Sequence, residues 1–232
     1  MGDRPYLATT ATIEESGFMP RVYGWMSLAL ALSALAAVTT VSTPALLSLV
    51  AGSRLVFFGL ILAELGLVVF LSAAISRMSL RAARAGLIAY SLLNGLTLSV
   101  VFLAYTAESI GTTFLVTAAT FGATSAFGYA TKRDLTGLGS FLFMGLIGIV
   151  IASLVNVFLR NDVVSWVTTY AGVIVFVGLA AYDTQRIKAM AAATGYAGDA
   201  AGKVAVFGAL ALYLDFVNLF LMLLRLVGRG RD

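Results

Sequence analysis

The sequence predicts an all-α integral membrane protein with seven transmembrane helices, and three observations carry that prediction. Of 232 residues, 60% are hydrophobic and 11% are charged, whereas a soluble domain carries about 25% charged residues. The apolar residues fall in continuous runs of about 18–23, the length a helix needs to cross roughly 30 Å of hydrocarbon. These runs do not alternate apolar with polar residues, which argues against barrel strands. Helices also satisfy their own backbone hydrogen bonds where lipid cannot.

The runs, in order, are Val22–Thr43, Leu55–Ile75, Ala85–Tyr105, Gly111–Tyr129, Leu138–Leu159, Ser165–Tyr182 and Val204–Leu226. Short polar breaks separate them, the longest being DTQRIKAMAAATGYAGDAAGK. The expected organisation is a polar N-terminal tail over 1–21, one transmembrane domain over 22–227 and a short C-terminal tail over 228–232. The first residues, MGDRPYLATTATIEESGF, hold no apolar core of signal-peptide type.

Orientation follows from the cations on alternate sides. Ten fall on the N-terminal side: Arg4, Arg21, Arg77, Arg81, Arg84, Lys132, Arg133, Arg186, Lys188 and Lys203. Five fall on the other: Arg54, Arg160, Arg225, Arg229 and Arg231. The N-terminus is therefore expected in the cytoplasm. A re-entrant last segment would change the split to thirteen and two, but that segment is long enough to span.

The chain contains no cysteine and no histidine. Thiol redox chemistry, disulfides and the usual zinc sites are excluded, as is the side chain that most easily senses pH. Any pH response must come from carboxylates. The cations sit in loops and form no patch of the kind that binds nucleic acid. Arg outnumbers Lys twelve to three, which with abundant Ala and Gly points to a GC-rich bacterial genome; the expected location is a bacterial inner membrane.

Ionisable residues at membrane depth are costly, and by default they mark pathways or relays. Asp215 lies mid-way along the last run. Gly208, Ala211, Asp215, Asn218 and Met222 recur there at helical spacing, forming one small, polar face that should point into the bundle. Asp183 ends the sixth run, either as an interfacial acid beside Arg186 and Lys188 or as a partner for another buried acid. Two carboxyls that meet at such depth cannot easily both ionise. Glu64 lies ten residues into the second run, with Tyr90, Asn94 and Thr97 of the third as hydrogen-bond partners. Arg77, Arg81 and Arg84 form a cytoplasmic positive cluster, of which Arg77 is placed to pair with either aspartate.

No enzyme is expected. There is no metal set, no nucleophile elbow and no phosphate loop. Paired aspartates also occur in intramembrane aspartyl proteases, but Tyr182–Asp183 meets only half of that pattern, since Leu214 precedes Asp215.

Four stretches resemble the Bax inhibitor family, the transmembrane Bax inhibitor motif proteins: AYSLLNGLTLS (89–99), TKRDLTGLGSFLFMGLIGI (131–149), AAYDTQRIK (180–188) and ALYLDFVNLFLMLLRL (211–226). The likeness covers about residues 55–227. It implies six helices surrounding a central seventh and a pH-sensitive calcium leak, with Asp183 and Asp215 as the paired-aspartate sensor. Arg77 falls at the family's latch position, with Arg81 and Arg84 nearby in register. Calcium prefers oxygen ligands, and Asp183, Asp215 and Asn218 can offer them in transit. No resident cofactor is implied. The expected partners are the lipid bilayer, calcium ions and protons, with membrane proteins as further candidates and no nucleic acid. Two other readings stand beside the leak: a proton-coupled cation transporter, and a non-transporting regulator of membrane proteins or proteases.

Overall fold

The computed structural model describes residues 4–230, with side chains from Gly17 onward. Residues 1–3 and 231–232 of the two expected tails lie outside the described residues. The elements are α1 (Arg4–Ser42), α2 (Pro44–Gly52), α3 (Arg54–Ala74), α4 (Leu80–Leu98), α5 (Val101–Ala104), α6 (Ala107–Ala130), α7 (Thr136–Leu159), α8 (Asp162–Ala193) and α9 (Gly198–Val227). Among the described residues there is no strand, and the only β-type pairing is an isolated bridge between Tyr105 and Gly230.

Seven helical stretches are long and apolar enough to cross a membrane, matching the seven expected runs. The match is looser at the sixth and at the first: α8 runs on to Ala193, so Asp183 and the start of the expected break DTQRIKAMAAATGYAGDAAGK are helical. α1 continues unbroken through the expected tail, and its span begins at Gly17, with Phe18, Met19 and Val22 buried. Pro20 and Arg21 read as the end of a tail, yet the helix accommodates both. The loop after α1 also differs from the sequence reading. It is largely the short helix α2, opened by Pro44 at its first position, where a missing N–H costs nothing.

The final helix is the enclosed one. Of its most apolar window, 61% is buried, against 11–39% for the other spans. It runs 30 residues without a break, about 45 Å, so the last segment does not turn back.

The chain divides into two compact units, one of residues 1–104 with 187–213 and one of 105–186 with 214–232. In the first, α1 and α4 cross at Gly95, where a Cβ would press on the Ser33 carbonyl oxygen and lie 2.6 Å from the Ala36 Cβ. Small residues of this kind let helix backbones approach in lipid. The link from α8 to α9 turns through left-handed Gly195, Tyr196 and Gly198. The Tyr196 ring packs edge-on against Phe18, and its carbonyl accepts from Arg21 at 3.4 Å. Lys203 donates to the Ser76 carbonyl at 3.0 Å, tying the start of α9 to the α3–α4 turn.

In the second unit, α6 and α8 meet at Gly128, which lies against the Ala181 backbone, and are joined again by the Ser125 and Thr184 hydroxyls at 2.6 Å. Gln185 holds the α6–α7 loop, accepting from the Leu135 N–H at 2.9 Å and donating to the Arg133 carbonyl at 2.8 Å. Phe216 of α9 packs edge-on between Phe114 and Phe121 of α6 at 5.2 and 5.5 Å. Asn156 closes the α7–α8 turn: its amide donates to the Asn161 carbonyl and the Ser165 hydroxyl, and its carbonyl accepts from the Asn161 N–H. At the far end of α9, the Arg229 N–H donates to the Ser109 hydroxyl at 2.8 Å. The start of the expected C-terminal tail is thus fastened to the start of α6.

Candidate functional site

Asp183 on α8 and Asp215 on α9 lie within the second unit, and their carboxyl groups are within hydrogen-bonding reach of one another. A hydrogen bond between two carboxyls requires a proton on one of them. Asp215 is 5% exposed, and among the described residues its Oδ2 is buried without a hydrogen-bond partner. Asp183 is less enclosed, at 15% side-chain exposure, and its Oδ1 lies 3.8 Å from the Arg186 guanidinium one turn on. That cation is itself 47% exposed, so the pair has one wet edge and one dry edge.

The surroundings hold the pair in place. Ala181 and Tyr182, immediately before Asp183, lie against Gly128 of α6 and Gly139 of α7. Thr184, immediately after it, bonds to Ser125. Around Asp215, Phe216 fills the space against α6. Asn218 donates to the Leu214 carbonyl of its own helix at 2.8 Å, so its amide is occupied in back-bonding.

A second polar cluster lies in the first unit. Glu64 of α3 is 8% exposed. The Asn94 amide of α4 donates to its Oε2 at 2.9 Å, and the Thr97 hydroxyl donates to its Oε1. The chain continues beyond Asn94: the Tyr213 hydroxyl of α9 donates to Asn94 Oδ1 at 2.7 Å and sits 2.7 Å from the Ser33 hydroxyl of α1. Ser33 reaches the Ser91 carbonyl at 2.7 Å. Four helices thus meet around five polar side chains.

The structure therefore brings Asp183 together with Asp215, and Glu64 together with Asn94 and Thr97, as separate clusters. Arg77 stands exposed in the turn after α3, its N–H bonded to the Ala74 carbonyl at 2.9 Å. Arg84 stacks over the Trp25 ring at 5.3 Å. Sequence reasoning missed Ser33 and Tyr213. Ser33 is one of many small hydroxyls in an apolar run, but Tyr213 had a readable signal, as a tyrosine two residues before a buried aspartate on an enclosed helix.

Among the described residues no group of three or more His, Cys, Asp or Glu could hold a metal ion. Two carboxylates offer too few ligands for a closed calcium site, which typically takes 6–8 oxygens. What the pair can do is exchange a proton with water at its Arg186 edge and change the net charge beside α9.

Comparison with known proteins places this sequence among relatives. The profile of the family described as inhibitor of apoptosis-promoting Bax1 matches residues 15–232. Over 215 residues the chain is 50% identical to the inner membrane protein YbhL of Escherichia coli, covering 92% of each. It is 44% identical over 218 residues to a protein of Rickettsia prowazekii, covering 93% of this chain and 90% of that one. A Caulobacter vibrioides protein is 40% identical over 240 residues, covering 99% and 94%.

Proposed function

Because the chain belongs to the Bax inhibitor family, we propose that it is a pH-sensitive calcium leak pathway of a bacterial inner membrane, gated by Asp183 and Asp215. The observation that carries this reading is the meeting of two carboxyls at membrane depth, one of them with a buried oxygen left unpartnered. Buried polar groups are normally satisfied, and intramembrane acids are kept where they serve a pathway or relay. At neutral pH the pair holds one proton between two carboxyls and carries a single negative charge. Acidification delivers a second proton, the charge vanishes, and the electrostatic hold on α9 loosens. Calcium then passes along carboxyl and carbonyl oxygens without being stored. Arg77 is kept as the latch on the family likeness alone: it stands exposed in the turn after α3, and the cation beside the pair is Arg186.

Calcium flux into proteoliposomes tests this reading. Wild-type flux rises as pH falls from 8 to 6, Asp215→Asn gives a flat profile, and Arg77→Ala raises flux at neutral pH. Absence of flux in the wild type sinks the proposal and favours a non-transporting regulator. Flux that tracks an imposed proton gradient, beyond pH itself, identifies a proton-coupled transporter instead.

The N-terminus lies in the cytoplasm, on the strength of the cation asymmetry. With seven spans, a reporter fused after Asp232 reads as external, and one inserted around Ala197–Asp199 reads as cytoplasmic. A cytoplasmic reading at Asp232 overturns this orientation.

A further inference from the structure

Tyr213 and Asp215 are two residues apart on α9, about 200° around the helix. Their side chains therefore leave it on nearly opposite faces at almost the same level. Asp215 turns to α8 and Asp183, while Tyr213 turns to α1 and α4. Tyr213 is 0% exposed, and its hydroxyl, 2.7 Å from both Ser33 and Asn94, is held from two helices at once. Asn94 is fixed in turn by Glu64 of α3. The Tyr213 ring is also packed edge-on against Tyr90 at 5.9 Å. A side chain bonded to two helices fixes both the rotation and the axial position of the helix that bears it. A displacement of α9 away from α1 and α4 strains or breaks these bonds.

We propose that the Tyr213 hydroxyl is a positioning group, pinning α9 through Ser33 and Asn94 and so setting the pH at which the Asp183–Asp215 pair releases the helix. This deepens the leak reading and rests on it. The ionisable groups around the pair are Arg186 on α8 and none on α6 or α7 among the contacts described above. Those around Tyr213 are Tyr90 on α4 and, through Asn94, Glu64 on α3. Tyr213 exchanges no proton with the pair. It contributes a mechanical threshold, a fixed number of hydrogen bonds that must break before α9 moves.

The test compares Tyr213→Phe with Tyr90→Phe, which removes a neighbouring hydroxyl outside this chain of bonds. In proteoliposomes, Tyr213→Phe shifts the midpoint of pH-dependent calcium flux toward neutral by about half a pH unit or more, and Tyr90→Phe leaves it in place. A readout without flux runs in parallel, because the chain contains no cysteine. A Cβ at Gly172 would lie 3.1 Å from Met222 Cγ, so the double variant Gly172→Cys/Met222→Cys places two thiols within disulfide reach across α8 and α9. Adding Tyr213→Phe slows oxidative crosslinking of this pair at least threefold at pH 8, and adding Tyr90→Phe does not. Unchanged crosslinking overturns the pin, whatever the flux shows. Altered crosslinking in a protein whose wild type carries no pH-dependent flux upholds the pin and removes the leak.

Discussion

Replacing Asp215 with asparagine flattens the pH dependence of calcium flux, and replacing Asp183 as well changes little more. The expectation comes from the geometry of the pair. Two carboxyls within hydrogen-bonding reach titrate as a unit, so neither has a private titration step. An asparagine in place of either aspartate keeps the shape and still donates or accepts, but it ends the sharing of a proton and leaves a lone carboxyl that titrates without a like charge beside it. Each single variant therefore loses or shifts the pH response, and the second substitution adds little. In a double-mutant cycle on the flux response, the coupling energy should reach about 1–3 kcal/mol, the upper part of the range for residues in contact. Insertion and monodispersity of all three variants must be checked first, since a buried carboxyl can be purely structural. Strictly additive effects, or an intact pH profile in Asp215→Asn, would show that the two acids act independently.

Gly128→Leu abolishes the folded protein, and Gly128→Ala lowers its stability by about 3 kcal/mol, the upper end of the usual cost of overpacking. At Gly128 the atoms that a Cβ would meet are the Ala181 carbonyl carbon and oxygen and its Cα. Backbone cannot rotate aside as a side chain can, so α6 and α8 would have to part. Gly122, six residues earlier on α6, is the control: a Cβ there meets nothing within 4 Å. Gly122→Ala should be neutral or stabilising by up to about 1 kcal/mol, the ordinary gain of alanine over glycine in a helix. Thermal loss of monodispersity in detergent measures both. Equal effects at the two positions would mean that α6 and α8 are not in backbone contact. A shift of α8 at Ala181 also moves Asp183, so the purified Gly128→Ala protein should show an altered flux midpoint.

The spans and their order could be read from the sequence because lipid imposes one rule on every stretch of chain: long apolar runs must be helices. The position of Asp215 on a small, polar helix face could be read for the same reason. The start of α1 could not, since Pro20 disfavours a helix interior and Arg21 ends the apolar run, yet α1 continues through both, with Phe18 and Val22 buried. The division of the polar residues into two clusters was also hidden. Sequence spacing places residues on faces of one helix, but which face meets which neighbour depends on close approaches such as Gly95 on Ser33 and Gly128 on Ala181. Glu64 could be matched with Asn94 and Thr97 because second and third spans joined by a short turn are usually neighbours. Tyr213 could not be matched with Ser33, because 180 residues separate them.

Both compact units take in part of α9, residues up to 213 in one and from 214 in the other. During synthesis, therefore, neither unit can close until the last helix has left the ribosome. Asp183 enters the bilayer with α8 before its partner exists, and Asn94 waits for the Tyr213 hydroxyl in the same way. Six spans inserted without the seventh form a chain with unsatisfied polar groups at membrane depth, which is costly for as long as it lasts. A stalled or truncated chain would therefore hold a buried acid without its mate. Arrival of α9 satisfies both groups at once, which makes its thirty residues the point at which this protein becomes committed to its fold.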